Sequence, residues 1–512
     1  MSVGASVGKD GVTAARTEVI TSTERNRWLV LAFMGIGSFM GALDTFVVNV
    51  AIPSLRNDLG ATTGEAEFVV TAYSLTFAVL LITGGRLGDL FGRVRVYLTG
   101  MGVFTVASAL CAMAPSPTFL IGARVVQAAG AAVMVPQAYA VVQRIFNPTE
   151  RVRAIAYLTV SGSIAVVFAQ VVGGLLIQAN VAGLQWRAVF AINVPIGVVG
   201  LIGGLIVLPR VRPERTAGLD MPGVGLATVA LLLLIVPLVE GRDLGWPAWI
   251  FGLLVLAPLA FVAFAKHQMH RAAQRRFPLI EPGLFRQRSF SAGLPIVLIT
   301  QISNAGLFFV FTLYLQLGRG LSPGMAGLAF ASIGAGYMST ALLSPRLAVR
   351  FGRGVIVVGY ATVGVAALAA IVILHVAGPT GSPFSLMPAT AMVGAGQGLV
   401  NSPLFGIVLS RVERGHEGSA SGTLSTVQQT GSAVGVALEG LVFFSVLGSA
   451  AVVGHGSAVA YTHAFETVLV LNVVIDLVAA ALVARLPRRV PNRETGWVGE
   501  ATVSVPAVAG EA

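Results

Sequence analysis

An acid in the middle of an apolar stretch is the first residue of this chain that could do chemistry. Asp44 stands in Leu43-Asp-Thr-Phe-Val-Val-Asn-Val-Ala-Ile-Pro53, close to the end of a run that starts at Trp28. An ionisable group in such a run is costly to bury and is a functional candidate by default. Arg124 is the one basic residue inside another apolar run, and Gln127 follows it by one helical turn on the same face. If the first run rises and the fourth descends, Asp44 and Arg124 lie roughly 10 Å beneath the same surface, at ~1.5 Å per residue. Burial and a nearby guanidinium pull the proton affinity of a carboxyl in opposite directions. A change in their separation, or in water access, would then load or release a proton. Gln127 could hydrogen-bond Asp44 or line a cavity. The plainer reading is a static ion pair that holds two helices together.

Glu439 and Asp476 are further acids in apolar runs. Glu439 could meet a cationic molecule or take a second proton, whereas Asp476 reads as a packing group or a neighbour's partner. Gln301, Asn304, Phe308 and Phe311 recur at helical spacing and would suit an amphipathic aromatic molecule, although such a stripe also suits lipid or packing. Gln170 is a polar group that could line the same cavity. Asn193 and Pro195 read as residues that shape their helix rather than bind. The six His residues lack metal-ligand spacing, and there is no phosphate-binding Gly-Lys-Ser/Thr motif, so neither a metal nor a nucleotide cofactor is expected.

The elements that must position these groups follow from composition. The chain has 512 residues, 55% hydrophobic and 11% charged, with mean hydropathy +0.84. A soluble domain would carry about 25% charged residues. Runs of about 20 apolar residues suit helices that cross a ~30 Å hydrocarbon core. Fourteen begin near Trp28, Phe68, Val96, Thr118, Ala154, Trp186, Met221, Ala248, Phe290, Pro323, Val355, Phe384, Gly418 and Ala464. The net charge of +11 is topological rather than a nucleic-acid footprint: of the 33 Lys and Arg, 28 fall on one side of these spans and four on the other. That asymmetry predicts a membrane protein with both termini cytoplasmic, and the abundance of Arg, Ala, Val and Gly with only Lys9 and Lys266 as lysines points to the plasma membrane of a bacterium. The lone Cys111 excludes an internal disulfide.

Two connections carry nearly the same text. Gly85-Arg-Leu-Gly-Asp-Leu-Phe-Gly-Arg93 and Pro345-Arg-Leu-Ala-Val-Arg-Phe-Gly-Arg353 share Arg, Leu, Phe, Gly and Arg at a constant offset of 260 residues. A repeated loop in a duplicated membrane protein marks a two-halved transporter. Gly85 and Gly92 would allow tight turning and close helix approach, with Asp89 and Arg93 as the charged residues of the segment. The expected layout is a tail at 1–27, a six-helix bundle at 28–208, two linker helices and a basic loop at 209–289, a second six-helix bundle at 290–485, and a tail at 486–512.

These motifs together resemble the major facilitator superfamily, and within it the fourteen-span drug:proton antiporters. The first span is close to LDxTIVNVALP, Gly85–Arg95 to G-x-L-x-D-x-x-G-R-x-R, and Arg124-Val-Val-Gln-Ala-Ala-Gly130 to RxxQGxG. Trp186-Arg-Ala-Val-Phe-Ala-Ile-Asn-Val-Pro-Ile-Gly197 resembles WRWIFxINxPIG, and Ser421-Gly with Gln428-Gln-Thr-Gly431 is also similar. One element departs: where those antiporters have G-P-x-x-G-G, this chain has Ala169-Gln-Val-Val-Gly-Gly174, which predicts a straighter fifth span. The resemblance implies an all-α integral membrane fold of two six-helix bundles with two linker helices. It implies export of an amphipathic cationic or aromatic compound by a monomer, driven by the proton gradient, with Asp44, Arg124 and Gln127 in coupling. It also implies that Asp89 latches the closed cytoplasmic side against a helix N-terminus of the other bundle. The altered fifth span leaves open a symporter that imports a small metabolite on the same fold.

Overall fold

The computed structural model describes residues 10–486, apart from 147, 210–219, 242–243, 275, 277, 379–380, 410–416 and 449–456. Among the described residues every regular element is a helix. The first half holds α1 (Asp10–Leu59), α2 (Thr63–Phe91), α3 (Arg93–Ala112), α4 (Pro117–Ile145), α5 (Pro148–Ala179), the single turn α6 (Ala188–Ala191) and α7 (Asn193–Val207). Then come α8 (Met221–Glu240) and α9 (Ala248–Ala273). The second half holds α10 (Arg288–Leu313), α11 (Pro323–Ala341), the short α12 (Ser344–Phe351), α13 (Gly354–Ala377), α14 (Met387–Leu409), α15 (Glu417–Leu447) and α16 (Ser457–Val483).

Local chemistry sets several starts. Thr62 caps α2 in a reciprocal box: its hydroxyl accepts from the Glu65 N–H at 3.1 Å, and its own N–H donates to Glu65 Oε2 at 2.9 Å. Ser116 and Ser322 cap α4 and α11, each followed by a proline whose missing N–H costs nothing there.

Helices stand at all fourteen expected positions, and among the described residues twelve are long and apolar enough to cross a membrane. Of the other two, α11 is rich in Gly, Ala and Ser. Helices α5 and α11 pack against each other between the halves. A β-carbon added at Gly174 would come within 2.2 Å of the Pro323 carbonyl oxygen, and one at Gly327 within 2.4 Å of the Gln170 carbonyl oxygen. Helix α2 packs on α15 across the halves in the same way, and the remaining contacts of α1–α7 and of α10–α16 lie mainly within each half. Each half holds a glycine-lined contact: Gly100 against Gly130 between α3 and α4, and Gly359 against Gly396 between α13 and α14. Without a hydrophobic drive between helices in lipid, such close approach supplies the dispersion contact that holds them.

The repeated segment corrects its sequence reading. It is helix rather than loop: α2 continues through Gly85 to Phe91, and the turn is Gly92 alone (φ +96°), with α3 starting at Arg93. The second copy repeats this, with α12 ending at Phe351, Gly352 at φ +58° and helix resuming at Gly354. A side chain is strained at either glycine. Gly85 has room around it, its nearest neighbour for an added β-carbon being Pro136 at 3.9 Å, so it supports no tight turn. Gly84 and Gly88 carry the close approach instead, against the Ala132 carbonyl (2.2 Å) and the Gln137 amide (1.9 Å). The Asp89 side chain lies outside the described residues.

The linker also differs from expectation. The basic loop expected from Lys266 onward is helical to Ala273. Asp220 explains the extension. It caps α8 through the Gly223 N–H at 2.9 Å, and accepts from Gln268 Nε2 at 2.9 Å while facing His267 and Arg271, so α9 is held one turn beyond its apolar part. Burial works to raise the Asp220 carboxyl, but the His267, Gln268 and Gly223 hydrogen bonds and the Arg271 charge outweigh it and hold it below its ordinary range.

Candidate functional site

Side chains of α4 and α7 converge on Asp44 of α1. The carboxyl is fully buried, as are Arg124, Gln127 and Asn193. Arg124 Nη1 pairs with Asp44 Oδ2 and also donates to Gln127 Oε1 at 2.8 Å. Gln127 Nε2 donates to Asp44 Oδ1 at 2.8 Å and to Ser108 Oγ at 2.8 Å. Asn193 Nδ2 gives Asp44 Oδ1 a further bond at 2.8 Å. Arg124 Nε donates to the Val69 carbonyl at 3.1 Å, and its guanidinium lies 4.2 Å from the centroid of the Tyr73 ring and 5.6 Å from that of Phe190. The sequence pairing of Asp44, Arg124 and Gln127 is therefore met by contact.

The expectation for Asn193 is corrected: it binds the acid as well as starting α7. Its signal was in the sequence, since an amide in an otherwise apolar helix is itself an anomaly. Tyr73 and Ser108 were missed because their types are ordinary in membrane helices and only the packing brings them here. The arrangement holds an ionised Asp44 with donors on both oxygens, and charge-assisted bonds of this kind are the strong ones. A proton arriving on Asp44 would remove the reason for the Arg124 contact. The cluster can thus convert protonation into a change in how α1, α4 and α7 are tied.

The residues expected to line the cavity separate into different places. Phe308 is buried in an aromatic ladder, edge-on to Phe46 of α1 (6.0 Å between centroids) and to Phe330 of α11 (5.8 Å). Phe311 continues it to Phe330 and Phe465. Gln301 and Asn304 are half-buried on α10. Gln170 is buried, not cavity-lining: its Nε2 donates to the Phe46 carbonyl at 3.0 Å and ties α5 to α1. Glu439 is buried inside the second half, bonded by Asn472 Nδ2 at 3.0 Å and packed over Gly306. It does not share a surface with the α10 aromatic stripe. Asp476 stands one turn beyond Asn472, in the same buried group as Glu439, the second of the two readings the sequence left open.

Contacts across the halves gather near the arginine-poor end. Gln316 Nε2 donates to the Val50 carbonyl at 2.9 Å, Ser322 Oγ donates to Gln178 Oε1 at 3.2 Å, and Glu67 of α2 lies behind Gly440 of α15. Glu67 is an acid that sequence reading passed over, because it stands near a helix start where an acid is ordinary. On the same end Asp58 accepts from Trp186 Nε1 at 2.9 Å and pairs with Arg187 at 2.5 Å, closing α1 onto the turn before α6.

Two packed helical halves around buried charge define a membrane transporter. The Major Facilitator Superfamily pattern matches residues 34–436, and the chain belongs to that family. It is similar to a probable actinorhodin transporter of Streptomyces coelicolor, with 36% identity covering 83% of this chain and 74% of that protein. It is similar also to a puromycin resistance protein of Streptomyces alboniger, with 33% identity covering 89% of this chain and 90% of that one. Among solved structures it resembles an auto-inhibited peptide transporter of the POT family, with TM-score 0.62 and 19% identity over 91% of this chain and 98% of that one; this likeness is one of fold.

Proposed function

We propose that this chain is a proton-driven exporter of amphipathic cationic or aromatic small molecules. It acts as a monomer in the bacterial plasma membrane, with both termini cytoplasmic. The observation that carries coupling is the fully buried Asp44, held by Arg124, Gln127 and Asn193 from other helices. Export is supported by relatives named for antibiotic transport and resistance. The two bundles, 28–208 and 290–485, rock about a central site, with 209–289 as the linker. A proton taken up by Asp44 from outside loosens Arg124, and its release inside restores the pair and resets the cycle. The Asp89–Arg93 segment, hinged on Gly85 and Gly92 in the sequence reading and on Gly92 in the structure, latches the cytoplasmic side. Gln301, Asn304 and Phe308, with Phe46 and Phe330, offer stacking and amide contacts to an aromatic compound.

Puromycin accumulation in cells stripped of their own pumps tests this. Expression of the chain should lower accumulation, and a protonophore should restore it. Raised accumulation on expression, abolished by the protonophore, would support the importing symporter instead.

A further inference from the structure

In the second half two buried acids share a neighbourhood in which, among the described residues, no cation pairs with either. Glu439 of α15 is 0% exposed, and Asp476 of α16 is 5% exposed. Asn472 stands between them in bonding. Its Nδ2 donates to Glu439 Oε2 at 3.0 Å and to the Val468 carbonyl of its own helix at 3.0 Å. That orients the amide, so its oxygen faces α10, where the Ser303 hydroxyl donates to it at 2.5 Å. Asp476, one turn after Asn472 on α16, lies beside the same Ser303 hydroxyl. A hydroxyl has one proton to give, and here it is given to Asn472. Asp476 can bond Ser303 only by bringing its own proton. Glu439, which accepts from Asn472, is bonded as a carboxylate.

The remaining oxygens, Glu439 Oε1 and Asp476 Oδ2, are buried without a hydrogen-bond partner. Among the described residues no Lys, Arg or His pairs with either acid. The titratable groups on packed neighbours are Tyr360 of α13, whose hydroxyl is 2.6 Å from that of Thr300, and Glu67 of α2, on the far side of α15 behind Gly440. Neither is cationic. Two carboxyls whose charges interact in an apolar interior cannot both ionise. We propose that Glu439 and Asp476 hold one exchangeable proton between them, through Asn472 and Ser303, as a second proton site in the half opposite Asp44. The proton rests on Asp476 and leaves when rocking admits water to the unpartnered oxygens. The inference rests on the proton-coupled reading, and gives the carrier one titrating centre in each half.

Infrared pH titration of the purified full-length chain reads protonated carboxyls directly by their C=O stretch, without any transported compound. Wild type and Asp44→Asn should both show a buried carboxylic acid band at neutral pH. The double variant Glu439→Gln with Asp476→Asn should lose it. Ser303→Ala, which removes the bond to Asp476, should shift the band to higher frequency, and serves if the double variant does not fold. Absence of the band in Asp44→Asn, or its persistence in the double variant, overturns the proposal. Loss of the band on adding sodium chloride at constant pH would make the pair a sodium site and overturn it equally. If wild-type vesicles release no protons on adding puromycin while the band behaves as stated, it is the coupling reading that has failed and not the shared proton.

Discussion

Asp44 and Glu439 are both fully buried acids on membrane helices, yet the two halves treat them differently. In the first half Arg124 neutralises the charge at Oδ2, and Gln127 and Asn193 both donate to Oδ1. In the second half Glu439 receives one amide N–H, and its nearest ionisable partner is another acid. The first site is built around an ionised carboxylate and must be pulled apart to take a proton. The second is built around a shared proton and must be wetted to lose it. Duplicated scaffolds thus need not carry duplicated chemistry: the helical frame and the Gly–Arg turns repeat, while the charges do not.

The largest way to break this comparison is to remove the counter-charge. Arg124→Ala leaves Asp44 buried and uncompensated, which costs about 3–5 kcal/mol. Thermal unfolding in detergent should show a severe loss, and Arg124→Ala combined with Asp44→Asn should recover much of it. No recovery would mean that Arg124 acts through packing on Tyr73 and Phe190 rather than through charge. In the second half the matching variant, Asn472→Ala, strands Glu439 and Ser303 and should cost about 1–3 kcal/mol. If its loss equals that of Arg124→Ala, the contrast between the halves collapses.

Next in size are the glycines. Gly84→Ala sets a β-carbon within 2.2 Å of the Ala132 carbonyl, an overpacking of about 1–3 kcal/mol. Gly85→Ala beside it should fall within about 0.5 kcal/mol of wild type. Equal losses in the two would refute the reassignment of close packing from Gly85 to Gly84. The smallest effect belongs to the linker. Asp220 is held below its ordinary value of 3.8 in the fold, so its stabilising contribution is complete above that value and is lost as pH falls through the lower folded one. The stability gap between wild type and Asp220→Asn should narrow in acid below about pH 4 and stay constant above it.

Much of this was legible in the sequence, for a physical reason. Charges inside apolar runs are rare enough that Asp44, Arg124 and Gln127 stood out, and helical rise placed them at one depth before any contact was known. The repeated segment exposed the duplication. What could not be read was lateral: that Asn193 closes on Asp44, that Asp476 adjoins Glu439, or that Gln170 turns into α1 rather than a cavity. Those depend on how helices rotate and pack, which glycine contacts set and hydropathy does not encode.

The central claim is that Asp44 carries a transported proton. Everted membrane vesicles with an acidic interior and a fluorescent reporter of internal pH test it most directly, with puromycin added to wild type and to Asp44→Asn. Proton release from wild-type vesicles and none from the variant, at equal amounts of folded protein, is the predicted result. Equal proton release from both would leave the exporter standing and take the proton away from Asp44.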